Sequence, residues 1–99
     1  MDSEIIKRTL ISIGKCTFLK IYPLLKSNPN IEVDDLVKAI PEYNKYSLTS
    51  QRTRLGHAKR IFKEGWVIQA LEDIFLSNKV SLKDRKLAES FLKEIRYNS

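Results

Sequence analysis

The chain has 99 residues, 42% of them hydrophobic and 9% aromatic, which is enough for one domain with its own core in a globule of about 13 Å radius of gyration and leaves no room for a second. Its formal charge of +6 is local: between Glu42 and Glu64 there is no acidic residue, while Lys45, Arg52, Arg54, Lys59, Arg60 and Lys63 all lie there, and elsewhere twelve Lys and Arg balance twelve Asp and Glu. A single cysteine excludes an internal disulfide, no apolar run suits a membrane span, and a start of Met1, Asp2, Ser3 and Glu4 has the wrong charge for a secretory leader, so a cytoplasmic protein is expected.

Helical spacing covers most of the chain, and three glycines and three prolines are too few for a turn-rich fold. An all-α domain of four to five helices over residues 1–99 is the expectation. From about 3 to 26, Ile6, Leu10, Ile13, Thr17, Ile21 and Leu24 recur every three or four residues. Gly14 and Pro23 interrupt them, so one bent helix or two are both open, as is a short strand around Leu10 to Ile13. Cys16, among Ile13, Phe18 and Leu19, is expected to be a small buried thiol.

After the Asn28, Pro29, Asn30 turn, residues 32 to 40 make a short helix. Asp34 and Asp35 suit its positive N-terminal end, and Pro41 stops it. Ser47 is a good N-cap for the basic helix, which runs to about Glu64, with Gly65 free to take the left-handed conformation just beyond it. A further helix from about Trp66 to Leu76 offers Val67, Leu71, Ile74 and Phe75 to the core. Ser81 followed by Asp84 resembles a capping box and opens the last helix, whose Leu87, Ala88, Phe91, Leu92 and Ile95 repeat at core spacing.

On a helical wheel, Leu48, Leu55, Ala58 and Phe62 form one arc of the basic helix, with Gln51 between them and Ile61 at the margin. Opposite lie Thr49, Arg52, Thr53, Gly56, Lys59, Arg60 and Lys63. A helix kept soluble by charge mixes signs and gains pairs at i,i+4, whereas this stripe meets no acid in its own sequence until Glu64. Its like charges repel, and an anionic ligand would relieve them. Thr hydroxyls can bond phosphate oxygens, and Arg can bond phosphate or the guanine edge in a major groove. The candidate nucleic-acid contacts are therefore Thr49, Arg52, Thr53, Lys59, Arg60 and Lys63, flanked by Lys45 and Arg54. Tyr46, just before the helix, suits contact or packing equally; Tyr43 and Trp66 read as packed, and His57 has no second ligand residue nearby.

A short helix, a connection and a longer helix opening Ser47, Leu48, Thr49, Ser50, Gln51 and Arg52 resemble the two-helix unit of helix-turn-helix DNA-binding domains, over residues 32 to 64. The resemblance implies a tri-helical variant, since the connection 41 to 46 is longer than the usual turn and lacks a central glycine, with the second helix reading base edges. It implies a small duplex-DNA-binding protein in transcription regulation or another DNA transaction.

The rival is an interaction module, an accessory or inhibitory subunit whose basic helix docks on an acidic protein. RNA is less favoured, because the basic segment lacks an exposed aromatic platform. A chain this short gains from dimerisation, which leaves a homodimer open. One His, one Cys, no metal-ligand spacing and no glycine-rich phosphate loop argue against an enzyme, a metal or a cofactor.

Overall fold

Chain breaks at Gly14, Pro41 and Gly65 set the architecture. The computed structural model describes residues 3–98, with side chains over 4–97; Met1 and Asp2, read above as part of a non-secretory start, lie outside them. The helices are α1 (Ser3–Ile13), α2 (Lys15–Ser27), α3 (Val33–Ala39), α4 (Leu48–Lys63), α5 (Val67–Phe75) and α6 (Leu82–Asn98). A 3-10 turn (Pro41–Lys45) joins α3 to α4, and no strand occurs among the described residues.

Six α-helices replace the expected four or five because the first segment is two helices. Gly14 has φ +95°, a conformation that strains any residue with a Cβ, so the helix path cannot continue through it. Its N–H still bonds the Leu10 carbonyl at 2.8 Å and its own carbonyl takes the Phe18 N–H at 2.8 Å, so each helix end is satisfied across the break. The strand alternative at Leu10 to Ile13 fails, since both residues are helical and fully buried. Pro23 does not stop α2: it sits on the exposed side, and the helix continues for four residues past it.

The cap signals translate into hydrogen bonds. At α3 the Glu32 N–H donates to the Asp35 carboxylate at 3.0 Å. Ser47 Oγ accepts the Ser50 N–H at 3.2 Å, and Ser81 Oγ accepts the Asp84 N–H at 3.2 Å. Gly65, at φ +75°, ends α4 with its N–H on the Phe62 carbonyl and the Trp66 N–H on that of Ile61, the paired closure that a left-handed residue permits.

Packing runs from α4 through α1 to α5 and on to α6, while α2 lies across α1, α4 and α6. Leu10, Ile13, Ile21, Leu36, Ile61, Leu71 and Ile74 are fully enclosed. Tyr22 is the aromatic junction: its ring stacks on Phe62 at 5.6 Å and meets Phe91 at 4.6 Å, joining α2, α4 and α6. Phe62, Leu71 and Phe91 thus share one core, although the two phenylalanines are only partly buried. By contrast, α3 packs chiefly on the 3-10 turn and touches α4 lightly, so the most extensive partner of α4 is α1. No described helix is long and apolar enough to cross a membrane.

Two expectations are corrected. Cys16 is exposed rather than buried. Its thiol donates to the Asp84 carboxylate at 3.1 Å, and that bond, with partial burial and the Asp84 charge, pushes its pKa above the ordinary thiol value. Leu48 is 53% exposed, and Ile61, assigned to the margin, is fully buried. The buried face of α4 is therefore turned toward Ala58 and Ile61, where α1 lies.

Leu71→Ala is expected to lower stability by about 2–5 kcal/mol, and Phe62→Ala and Phe91→Ala by about 3 kcal/mol, because each phenylalanine keeps part of its surface in water. Urea unfolding followed by circular dichroism measures this, and losses under about 1 kcal/mol at all three would contradict the shared core.

Candidate functional site

The start of α4 is locked to the turn before it. Gln51, 7% exposed, donates its side-chain amide to the carbonyls of Tyr43 at 3.2 Å and Tyr46 at 3.0 Å. In return the Tyr43 hydroxyl donates to the Gln51 carbonyl at 2.7 Å. Burial of Tyr43 pushes its phenol up to about 12. This reciprocal set satisfies the polar groups that burial of Gln51 and Tyr43 takes from water, and it fixes where the helix begins.

Arg54 ties the same region to the helix break at Gly14. Its guanidinium donates through Nη1 to the Ile13 carbonyl, the last of α1, and through Nε to Ser50 Oγ at 3.0 Å. It also lies 3.8 Å from the centre of the Tyr46 ring. The Tyr46 hydroxyl is 3.3 Å from Thr17 Oγ1; that bond, with the nearby Arg54 and Lys45 charges, draws its pKa below the ordinary phenol value. Arg54 and Tyr46 are thus partly buried scaffold. The helical wheel held the signal for Arg54, which falls beside Ala58 and Ile61 and away from the outer stripe.

The remaining members of the basic set are displayed. Thr49, Arg52, Thr53, Arg60 and Lys63 are exposed and Lys59 is half-buried. Lys45 is exposed, with Nζ 5.2 Å from the Tyr46 ring. Gly56 sits among them with nothing within 4 Å of where a Cβ would be, leaving the surface open at mid-helix. The Thr53 hydroxyl is turned back on the Thr49 carbonyl at 2.9 Å. Among the described residues the ion pairs are Arg8 with Glu4, Lys15 with Asp73, Lys20 with Glu42, Lys26 with Glu94 and Arg96 with Glu72; none involves a cation of α4. The Arg60 guanidinium rests 5.2 Å from the Trp66 ring, which packs half-buried at the helix end.

Folding also adds what the linear stripe lacks. Arg52 and Lys59 line a groove of about 410 Å³ whose far wall is the start of α3, with Glu32 and Asp34. These acids lie more than fifteen residues away in sequence, yet they temper the field on that margin. Leu48, at the edge of the same groove, gives it an apolar lip. A scan against protein-family models, a search of curated proteins and a search of solved structures each found no match.

Two substitutions test the scaffold. Arg54→Lys is expected to lower stability by about 1–3 kcal/mol, since an ammonium cannot bond Ile13 and Ser50 together while covering Tyr46; an unchanged urea midpoint would show the bridge to be dispensable. Tyr43→Phe addresses alkaline stability. The folded phenol titrates near 12 against 10 for the free group, so its contribution is full below pH 10 and is lost as pH rises toward 12. The wild-type chain should therefore lose more stability than Tyr43→Phe between pH 10 and 12; parallel profiles would contradict it.

Proposed function

We propose that this chain is a small duplex-DNA-binding protein that uses the outer face of α4 as its recognition element, in transcription regulation or another DNA transaction. One observation carries the reading: Arg52, Lys59, Arg60 and Lys63 stand on one helix without an ion-pair partner among the described residues, while all three lysines of α2 are paired and α1 and α6 each pair one cation, Arg8 and Arg96. Unpaired like charges on adjacent turns repel, and a polyanion removes that repulsion while releasing its own counterions. Arg52, one turn inside α4, is the proposed base reader. Lys63 and Arg60 are proposed phosphate contacts, with Lys45 and the Thr49 and Thr53 hydroxyls at the edge of the footprint. Arg54 serves the interface by holding the helix in place.

A second reading rests on the groove beside α3. Its mixture of Glu32, Asp34, Arg52 and the exposed Leu48 is the chemistry of a protein contact, and it favours an accessory or inhibitory module docking on an acidic partner through α4.

Fluorescence anisotropy with random and selected duplexes over a range of salt concentrations separates the two. Four phosphate contacts give a slope of log affinity against log salt of about −3 to −4. Lys63→Ala should weaken every duplex alike and flatten the slope by about one unit. Arg52→Ala should also blunt sequence preference by about 1–3 kcal/mol. Lys83→Ala, on α6, is the control: a loss equal to that of Arg52→Ala would mean that net charge alone drives association, and the protein-partner reading would replace this one.

A further inference from the structure

The two margins of α4 are electrostatically unlike. On one side Arg52 and Lys59 face Glu32 and Asp34 across the groove described above. On the other, α4 and α1 enclose a cleft of about 370 Å³ lined by Ile5, Arg8, Thr9, Ser12, His57 and Arg60, with no carboxylate among the described residues of its wall. Arg8 and Arg60 come from different helices, 52 positions apart, and the extensive α1 to α4 contact brings them to one cavity.

From this cleft we infer a phosphate-binding subsite, in which Arg8 and Arg60 grip the oxygens of one phosphate group with His57 and the Ser12 hydroxyl beside them. The inference rests on the nucleic-acid reading for its natural occupant, a backbone phosphate next to those met by the outer face of α4. The cleft's own chemistry would equally take a free phosphate.

The donors suit that task. Each guanidinium is a planar fork that matches phosphate oxygens. Arg60 lies against Trp66, which limits its swing. Ser12 Oγ, on the exposed side of α1, bonds only the Arg8 carbonyl at 3.1 Å, and a hydroxyl can rotate toward a ligand. Thr9 contributes no donor, since its buried hydroxyl is committed to the Ile5 carbonyl at 2.7 Å. Ile5 supplies an apolar floor. Among the described residues the anion that competes for Arg8 is Glu4, one helical turn before it and 3.7 Å away, in a pair whose side chains are 78% and 72% exposed for Arg8 and Glu4. A pair that open is weak, so a phosphate can displace it.

The subsite shifts the centre of the anion-binding face from the α3 margin to the α1 margin, and a residue outside the 43–63 window becomes a contact. Arg8→Gln, Arg60→Gln and Glu4→Gln, each at an exposed position, test this in the full chain, with the amide NMR spectrum of each variant checking that the fold is kept. Duplex affinity is measured against salt by anisotropy, and inorganic phosphate is titrated separately while the ring resonances of His57 are followed. Arg8→Gln and Arg60→Gln should each flatten the duplex salt slope by about one unit. Glu4→Gln should raise duplex affinity by roughly twofold at low salt by freeing Arg8. Saturable shifts of His57 with phosphate, lost in Arg8→Gln, are also expected. If the wild-type chain binds duplex and Arg8→Gln leaves the slope unchanged, the subsite is overturned and the α4 reading stands. If phosphate saturates the cleft but no duplex binds, the subsite stands and the DNA reading falls. Should neither ligand bind, both are overturned.

Discussion

Arg54 is the tie on which the rest depends. The chain must break at Gly14, which leaves the last carbonyl of α1 pointing away from any helical partner, and the Arg54 guanidinium takes it while stacking on Tyr46 and bonding Ser50. One side chain therefore sets the end of α1, the start of α2 and the first turns of α4 against one another. A lysine or an apolar residue could satisfy only part of this, since the three contacts need a planar donor with both an edge and a face. The Gln51 and Tyr43 exchange closes the neighbouring loop, so the basic helix is held from two directions before its core side chains are counted.

That rigidity has an electrostatic consequence. A flexible basic segment could fold back and neutralise itself on surface carboxylates. Pinned as it is, α4 keeps Arg52, Arg60 and Lys63 in water, where their mutual repulsion persists as a small standing cost in stability. The neighbouring helices then decide which part of the stripe is most positive. Helix α3 brings Glu32 and Asp34 to one edge, and α1 brings Arg8 to the other. The face is thus graded across its width as well as charged along its length.

Much of the fold was legible because helix signals are local. Ser47, Gly65 and Ser81 act within three or four residues of themselves, so their roles could be read without knowing any neighbour in space. Cys16 and Leu48 were misplaced for the opposite reason. Cys16 has apolar neighbours in sequence and Leu48 shares a helical arc with Leu55, Ala58 and Phe62, but the turn at Gly14 and the way α1 packs on α4 decide what covers them. Leu48 is left half-bare because the buried arc of α4 centres on Ala58 and Ile61, where α1 lies, and reaches Leu48 only at its edge.

The sequence by itself determined that this is an all-helical domain, where most helices begin and end, and that its excess positive charge belongs to one helix and the turn before it, because propensity, capping and charge composition are properties of short stretches of chain. Only the tertiary structure decided that Arg54 bonds the last carbonyl of α1, that Glu32 and Asp34 shield one margin of α4, and that Arg8 joins Arg60 on the other. Those outcomes depend on which residues distant in sequence meet across a helix crossing. Coulomb and hydrogen-bond energies act over a few ångströms of space, whatever the separation along the chain.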